Sequence, residues 1–574
     1  MDRRDFLKLM AASAGAVSLP LAGNIGCATK PSEARGSLSD GGSPTSFPVT
    51  DWHAVVGEGW GTDKASAGPG TWDGVTLQAP SDIPDLTGEG PYKADWHSLL
   101  NYDAPEWYRD AKFGIWAHWS PQCVPEDSDW YARNMYIQGQ GQYRNQVSCY
   151  GHPSVFGYKD LCAQWTLLNW EPEALIERYK KAGAKLFLAL ANHHDGFDTW
   201  NSKYHAWNAQ NIGPHRDVIG DWAAAARNQG LRVGVTVHAA RNWWWFQVSH
   251  LCDRTGPLVG VPYDGHLTPD DGKGQWWQGY DPQQLYCRKH GIRENPDEAY
   301  VRNFYNRVRD LVDLHDPDLL YFDNGGFPLG WAGMNIAAYF YNHNLKTRGG
   351  KMEGVLTIKQ VPDNHAKAVV VDYERGVTTR IMPYAWQSET CIGDWHYNRA
   401  RFLHHSYMKP DEAIHWMVDT VSKNGTFILN IPGKPDGTID ADEKAIVDAI
   451  GDWMQINGEA IYETRPWKVF GEGAHQASGG AFHGAGRLDA RDVRFTRNKR
   501  GDVVYAIVLG WPDGDFVINN LGTGSSTQPG GVKNVELLGC QAKLDWNQTA
   551  ESLTVKKPAE KPCEFAFALK VSLA

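Results

Sequence analysis

The sequence predicts a (β/α)8-like TIM barrel followed by a C-terminal β-sandwich. Three observations carry this expectation. From about residue 105 to 465, short continuous apolar runs alternate with amphipathic stretches, the pattern of parallel strands covered by helices. The number of such units and the lack of a Gly-rich nucleotide fingerprint favour a closed barrel over a doubly wound sheet. After about 465 the helical patterns stop, and strand-like runs separated by turn-rich segments follow.

In chain order, "MDRRDFLKLMAASAGAVSLPLAG" places Arg3 and Arg4 before Phe6, Leu7 and a mild apolar stretch. That reads as a twin-arginine signal over 1–27, which implies export to a periplasmic or extracellular location. Cys27 in "NIGC" offers a lipid anchor as the minority reading, since a lipoprotein site prefers Leu where Asn24 stands. Residues 28–48 are small, polar and Pro/Gly-rich, a flexible linker, and 49–100 read as an irregular extension. The barrel is expected over 101–465. Its strands are expected at 112–119, 186–194, 231–240, 318–326, 368–376 and 426–433. Helices are expected at 171–185, 217–230, 298–315 and 410–425. The sandwich is expected over 466–574, from runs such as "DVVYAIVLGW" and "CEFAFALKVSLA".

Composition narrows the function classes. A formal charge of −11 argues against a nucleic-acid partner. No stretch after the signal reaches the roughly 20 apolar residues of a spanning helix. The 26 Trp residues exceed what a core needs, and flat apolar faces suit sugar rings. The nine cysteines show no metal-like CxxC spacing; Cys252 with Cys287 and Cys540 with Cys563 are plausible local pairs. A Trp-rich insertion at 243–297 is long for a barrel loop and is expected to shape the site beyond a terminal sugar, with a rigid lid or an oligomer contact as alternatives.

In a (β/α)8 barrel the chemistry lies at the carboxyl ends of the strands. Just past the apolar runs stand His118 and Trp119; His193, His194 and Asp195; His238; Asp323; and Glu374 with Arg375. A metal is one reading of so many histidines. Adjacent histidines on a strand point to opposite faces, however, so His193 and His194 are poor joint ligands, and no HExxH motif appears. No metal and no cofactor is therefore expected. A sugar fits better, because imidazole supplies one donor and one acceptor to ring hydroxyls. Asp323 and Glu374 then form a candidate pair at neighbouring strand ends, about 5 Å apart as in a retaining glycosidase. The competing readings are a turn or helix cap for Asp323 and a surface ion pair with Arg375 for Glu374.

These motifs resemble the retaining α-L-fucosidases of glycoside hydrolase family 29. "RDAKFGIWAHWSP" resembles that family's first-strand motif, whose histidine, here His118, contacts fucose. "SDWYARNMY" resembles its Glu-Trp-Tyr segment and carries Asp129 and Trp130. "KAGAKLFLALANHHDGFDTWNS" is similar to its most specific signature, whose paired histidines grip sugar hydroxyls. "DLLYFDNGG" occupies the place of the nucleophile strand, which assigns Asp323 that role. The resemblance implies an exo-acting retaining hydrolase of terminal α-L-fucosyl groups on glycans or polysaccharides, with Glu374 as acid/base, Glu389 as second choice, and Trp395 lining the fucose site. The chain departs from the family at "HWS" for "HWG", at Asp129 for a glutamate, and at His238 with Trp243 to Trp245 for a tyrosine region. Those changes leave two alternatives open: an exo-glycosidase for a related sugar such as galactose, or a non-catalytic glycan-binding protein.

Overall fold

The computed structural model describes residues 79–574 except 84, 292 and 293, together with a two-stranded fragment at 71–72 and 75–76. The signal, the linker and most of the extension, with Arg3, Arg4 and Cys27, lie outside the described residues.

Eight parallel strands close into a barrel. They are β1 (Phe113–Ala117), β2 (Leu186–Asn192), β3 (Arg232–Val237), β4 (Leu319–Gly325), β5 (Val355–Lys359), β6 (Val370–Glu374), β7 (Trp386–Cys391) and β8 (Gly425–Asn430). Each strand pairs with its chain neighbours, and β8 pairs β1 to seal the ring. Six of the eight are legible as apolar runs; β5 and β7 are not. β7 reads "WQSETC", with Gln387, Ser388 and Glu389 all buried. Most of its polar groups are satisfied, by Asp372, by the Gly376 carbonyl and by tyrosine hydroxyls, so the strand is buried without being apolar.

The barrel interior is a packed core of Trp116, Leu186, Leu188, Leu319, Tyr321, Val355, Val370 and Ile428. Strand contact is close: a methyl group on Gly114 would lie 2.8 Å from Ile428 Cδ1 and 3.0 Å from the Leu186 carbonyl oxygen. Helices α1 (Pro172–Lys181), α2 (Val218–Asn228), α3 (Glu298–His315), α4 (Trp331–Thr347), α5 (Pro410–Ser422) and α6 (Ala441–Asn457) supply the outer layer. Caps set several of their starts: Asp217, Asp297 and Asp440 accept backbone N–H groups at the heads of α2, α3 and α6. Among the described residues no helix is long and apolar enough to cross a membrane.

After the barrel come β9 (Arg465–Glu472), β10 (Val493–Arg497), β11 (Val503–Val508), β12 (Phe516–Ile518), β13 (Val532–Leu537), β14 (Trp546–Gln548), β15 (Leu553–Val555) and β16 (Phe567–Leu573). They form a five-stranded sheet, β9-β10-β11-β16-β13, and a three-stranded sheet, β12-β15-β14. Side chains of both sheets share one core that includes Phe495, Val504, Phe516, Leu553 and Leu569. The domain is keyed to the barrel by a buried charge triad: Asp419 of α5 accepts from Arg494 and from Lys423, each at 2.6 Å.

Residues 132–160 and 244–294 gather into a compact unit of their own. Buried carboxylates organise it. Asp264 accepts from Tyr136 and Tyr286, each at 2.7 Å, and pairs with Lys159. Asp253 accepts from Tyr143 and Tyr263. The expected Cys252–Cys287 and Cys540–Cys563 pairs do not form; all four are free thiols. The insertion is held by buried hydrogen bonds where a covalent tie was expected.

Candidate active site

β2 is buried along its whole length and ends at Asn192, one residue before the paired histidines. Asn192 closes the strand. Its Oδ1 accepts the His238 and Ala239 N–H groups, each at 3.1 Å, and its Nδ2 donates to Asp198. Asp198 is clamped by Arg307 of α3. Asp195 shapes the turn, with Oδ1 accepting the Phe197 N–H at 3.0 Å. Because strand alternation stops at Asn192, both histidines enter the same cavity, their ring centroids 4.4 Å apart.

The cavity walls follow from the neighbouring strand ends. The His118 ring packs at 5.0 to 5.1 Å from those of His193 and His238, and at 5.4 Å from Trp395. Gln122 donates to His193 Nδ1 and to Asp195, each at 2.8 Å, which places the His193 proton on Nε2. His194 donates from Nδ1 to the His238 carbonyl at 2.8 Å and puts Nε2 at 3.3 Å from Asp323. Among the described residues, neither ring nitrogen of buried His118, nor the indole N–H of Trp116, has a hydrogen-bond partner. Buried polar atoms left open in a cavity are what an incoming ring of hydroxyls would satisfy. Burial and the neighbouring imidazoles hold His118 and His193 well below the usual histidine range, and His238 falls to about 4. A cation is the other ligand such groups admit. Ligand atoms of His118, His193 and His238 lie within 4.8 Å of one another, as do those of His194, His238 and Asp323.

The acidic half of the site lies on β4 to β7. Asp323 ends β4 and Glu374 ends β6, and Lys359 at the end of β5 pairs with both, at 2.5 Å from Glu374 Oε2. One ammonium touching both brings the two carboxylates within about 5 Å of each other, the retaining range. The expectation that Asp323 and Glu374 stand on adjacent strands is corrected here, because β5 intervenes and supplies the bridging cation. Burial alone would raise Asp323. The Lys359 ammonium, with His238 Nδ1 at 3.1 Å and His194, overrides it and holds the carboxyl well below its ordinary value. Burial would likewise discharge Lys359, but Asp323, Glu374, Glu389 and Asp372 raise it well above the usual lysine range.

Glu389 and Asp372 lie deeper. Glu389 is 1% exposed, accepts from Tyr321 at 3.0 Å and stands 3.7 Å from Lys359. Burial, then Asp372, pushes its carboxyl well up. Asp372 rises to about 7, chiefly through burial. Glu374 keeps 17% of its side chain exposed, which leaves it the accessible partner of Asp323.

Two expected contacts take other places. Trp119 faces the helix layer: its Nε1 donates to the Lys434 carbonyl, and its ring packs on Trp165, Trp170 and Trp222. Asp129 braces the rim, accepting the Trp395 and His396 N–H groups at 2.9 and 2.6 Å. Trp130 is at the pocket, its ring 6.3 Å from His194 and its backbone left-handed at φ +62°. Residues that the sequence did not single out are Lys359, Asp372, Gln122, Trp116 and His396, whose Nε2 lies 2.9 Å from Ser120 Oγ. "VLTIK" ends in the residue that bridges both carboxylates, but a five-residue strand carries too little periodicity to be read.

Comparison with known proteins agrees with this geometry. The alpha-L-fucosidase family model matches residues 84–459, and the alpha-L-fucosidase C-terminal domain model matches 489–572. Tissue alpha-L-fucosidase of Homo sapiens is 28% identical over 495 residues, covering 84% of this chain and 92% of that protein. An alpha-L-fucosidase of Branchiostoma floridae is 26% identical over 84% of this chain and 95% of its own. Among solved structures, Thermotoga maritima alpha-fucosidase in complex with fucose superposes with a TM-score of 0.62 at 26% identity, covering 84% of this chain and all of that one. Fold, strand-end residues and family models converge, and the chain belongs to the alpha-L-fucosidase family.

Proposed function

We propose that the protein is an exo-acting, retaining α-L-fucosidase that releases terminal α-L-fucosyl groups from glycans. The observation that carries the reading is the Asp323–Lys359–Glu374 bridge, which holds the two carboxylates within about 5 Å of each other beside the His194 and His238 imidazoles. Asp323, kept ionised by Lys359, attacks the anomeric carbon and displaces the leaving oxygen to form a glycosyl-enzyme. Glu374 gives that oxygen its proton, then takes one from water, which hydrolyses the intermediate. His193 Nε2–H and the open ring nitrogens of His118 receive the sugar hydroxyls. His194 and His238 position the nucleophile, each with a ring nitrogen beside the Asp323 carboxylate. Glu389 is too deep to reach a leaving group and belongs with Asp372 to the support of Lys359. The relatives' names and the fucose-bound Thermotoga structure support fucose as the sugar. The Arg3–Arg4 pair supports export by the twin-arginine route to the periplasm or beyond.

The test is hydrolysis of 4-nitrophenyl α-L-fucoside by protein lacking residues 1–27. Asp323→Gly should lose turnover and regain it with azide. Glu374→Ala should cleave this activated substrate while failing on natural glycans, because nitrophenolate leaves without a proton. An Asp323→Gly variant of full activity overturns the nucleophile assignment.

A further inference from the structure

A segment that the sequence places in the C-terminal domain packs against the turn after Glu374. Residues 473–492 join β9 to β10 and run across the turn that follows Glu374. Three backbone amides of this loop clamp that turn. Phe482 N–H donates to the Glu374 carbonyl at 2.8 Å, Gly484 N–H to the Arg375 carbonyl at 2.9 Å, and Gly480 N–H to the Val377 carbonyl at 2.8 Å. The approach is so close that a methyl group on Gly376 would lie 2.1 Å from the Gly480 carbonyl oxygen and 2.8 Å from Ala481 Cα. Gly479 and Gly480 adopt φ of +73° and +94°, which frees the loop to make the crossing.

At the crest stands Phe482. It is 66% exposed, the most exposed aromatic side chain among the described residues, and its backbone is left-handed at φ +62°. A bulky residue in that conformation, with its ring in water, costs stability and contributes nothing to the core, a combination that accumulates at functional sites. Its position gives the reason. The acid/base protonates the leaving oxygen, so the sugar beyond the scissile bond lies on the Glu374 side of the pocket. The loop adjoins Glu374 on that rim, where Arg375 also stacks over Trp395 at 5.3 Å.

We propose that Phe482 is the stacking platform for the pyranose ring next to the scissile bond, so that the C-terminal domain helps select the glycan. This rests on the fucosidase reading above and deepens it. The apolar face of the departing sugar lies on the Phe482 ring, and the three amide contacts hold the loop, hence the ring, at a fixed distance from Glu374.

The experiment compares wild type, Phe482→Ala and Phe482→Trp on two substrates. α-L-Fucosyl fluoride has no sugar beyond the scissile bond; α-L-fucosyl-(1→2)-galactose has one. Phe482→Ala should keep kcat/KM on the fluoride within about twofold and lose about tenfold on the disaccharide, through KM, with the alkaline limb of kcat unmoved. Phe482→Trp should restore the disaccharide. Equal losses on both substrates, or no loss on the disaccharide, overturn the platform. A loss confined to kcat with a displaced alkaline limb also overturns it, because the loop then acts through Glu374. Wild type that is folded yet turns over neither substrate overturns the hydrolase reading itself; wild type that cleaves the fluoride separates the two questions.

Discussion

At the scale of single residues, Lys359 decides how the site titrates. Among the described residues it alone pairs with both Asp323 and Glu374, and it offsets the burial of Asp323. Lys359→Met leaves Asp323 buried without its strongest counter-charge. Its carboxyl then rises, so the acid limb of kcat/KM moves to higher pH, with a loss of about 10²- to 10³-fold at neutral pH. Two further residues couple protonation to stability in opposite senses. His238 is depressed from 6.5 to about 4, so the folded state favours its neutral form. That contribution is present above pH 6.5 and is lost as pH falls through about 4, to the extent of about 3 kcal/mol. Thermal melts of His238→Phe should show a shallower fall over that window. Asp372 is raised to about 7, so the folded state favours its protonated form, and stability is lost as pH rises through about 7. Asp372→Asn keeps an acceptor for Gln387 and removes the ionisation. It should melt higher than wild type at pH 8 to 9, and the gain should shrink as pH falls toward about 4, the unfolded value.

At the scale of elements, the site depends on where β2 stops. "LFLALANHH" is apolar to its end, and its two histidines share one pocket because Asn192 and Asp195 turn the chain at once. The apolar run, the histidines and the following helix are legible in the sequence. The side-chain bonds that end the strand are not, since His238 and Gln122 come from distant positions. β5 and β7 show the same limit more sharply. Their inward residues, Lys359, Gln387 and Glu389, are polar because they support the chemistry, and the polarity hides the strands. Asp419 of α5 joins barrel and sandwich by pairing with two buried basic groups, Arg494 and Lys423. Asp419→Ala strands both charges and should destabilise the protein by about 3–5 kcal/mol in denaturant unfolding. Asp419→Glu should recover part of that loss.

At the scale of the whole molecule, the C-terminal domain is an extension of the barrel's packing as well as a covering for its own core. Trp453 of α6 donates to the Ala566 carbonyl at 2.8 Å, Thr496 bonds the Ala460 carbonyl at 2.7 Å, and the 473–492 loop reaches the turn after Glu374. Barrel and sandwich should therefore unfold together. Tryptophan fluorescence and far-ultraviolet circular dichroism should report coincident midpoints in wild type, and a chain ending before residue 466 should lose solubility with its activity.

The alternation of apolar runs and amphipathic helices determined the barrel, because period and length are local properties that burial demands of any such sheet. The same runs placed His118, His193, His194, His238, Asp323 and Glu374 at the strand ends, since a parallel barrel puts every carboxyl end on one face. Only the tertiary structure decided which of those groups meet. It put Lys359 between Asp323 and Glu374, turned Trp119 into the helix layer, made Asp129 a backbone brace and bonded the Phe482 N–H to the Glu374 carbonyl. Those outcomes rest on contacts between residues far apart in the chain, where the energy of a buried charge or an open donor depends on neighbours that no local pattern records.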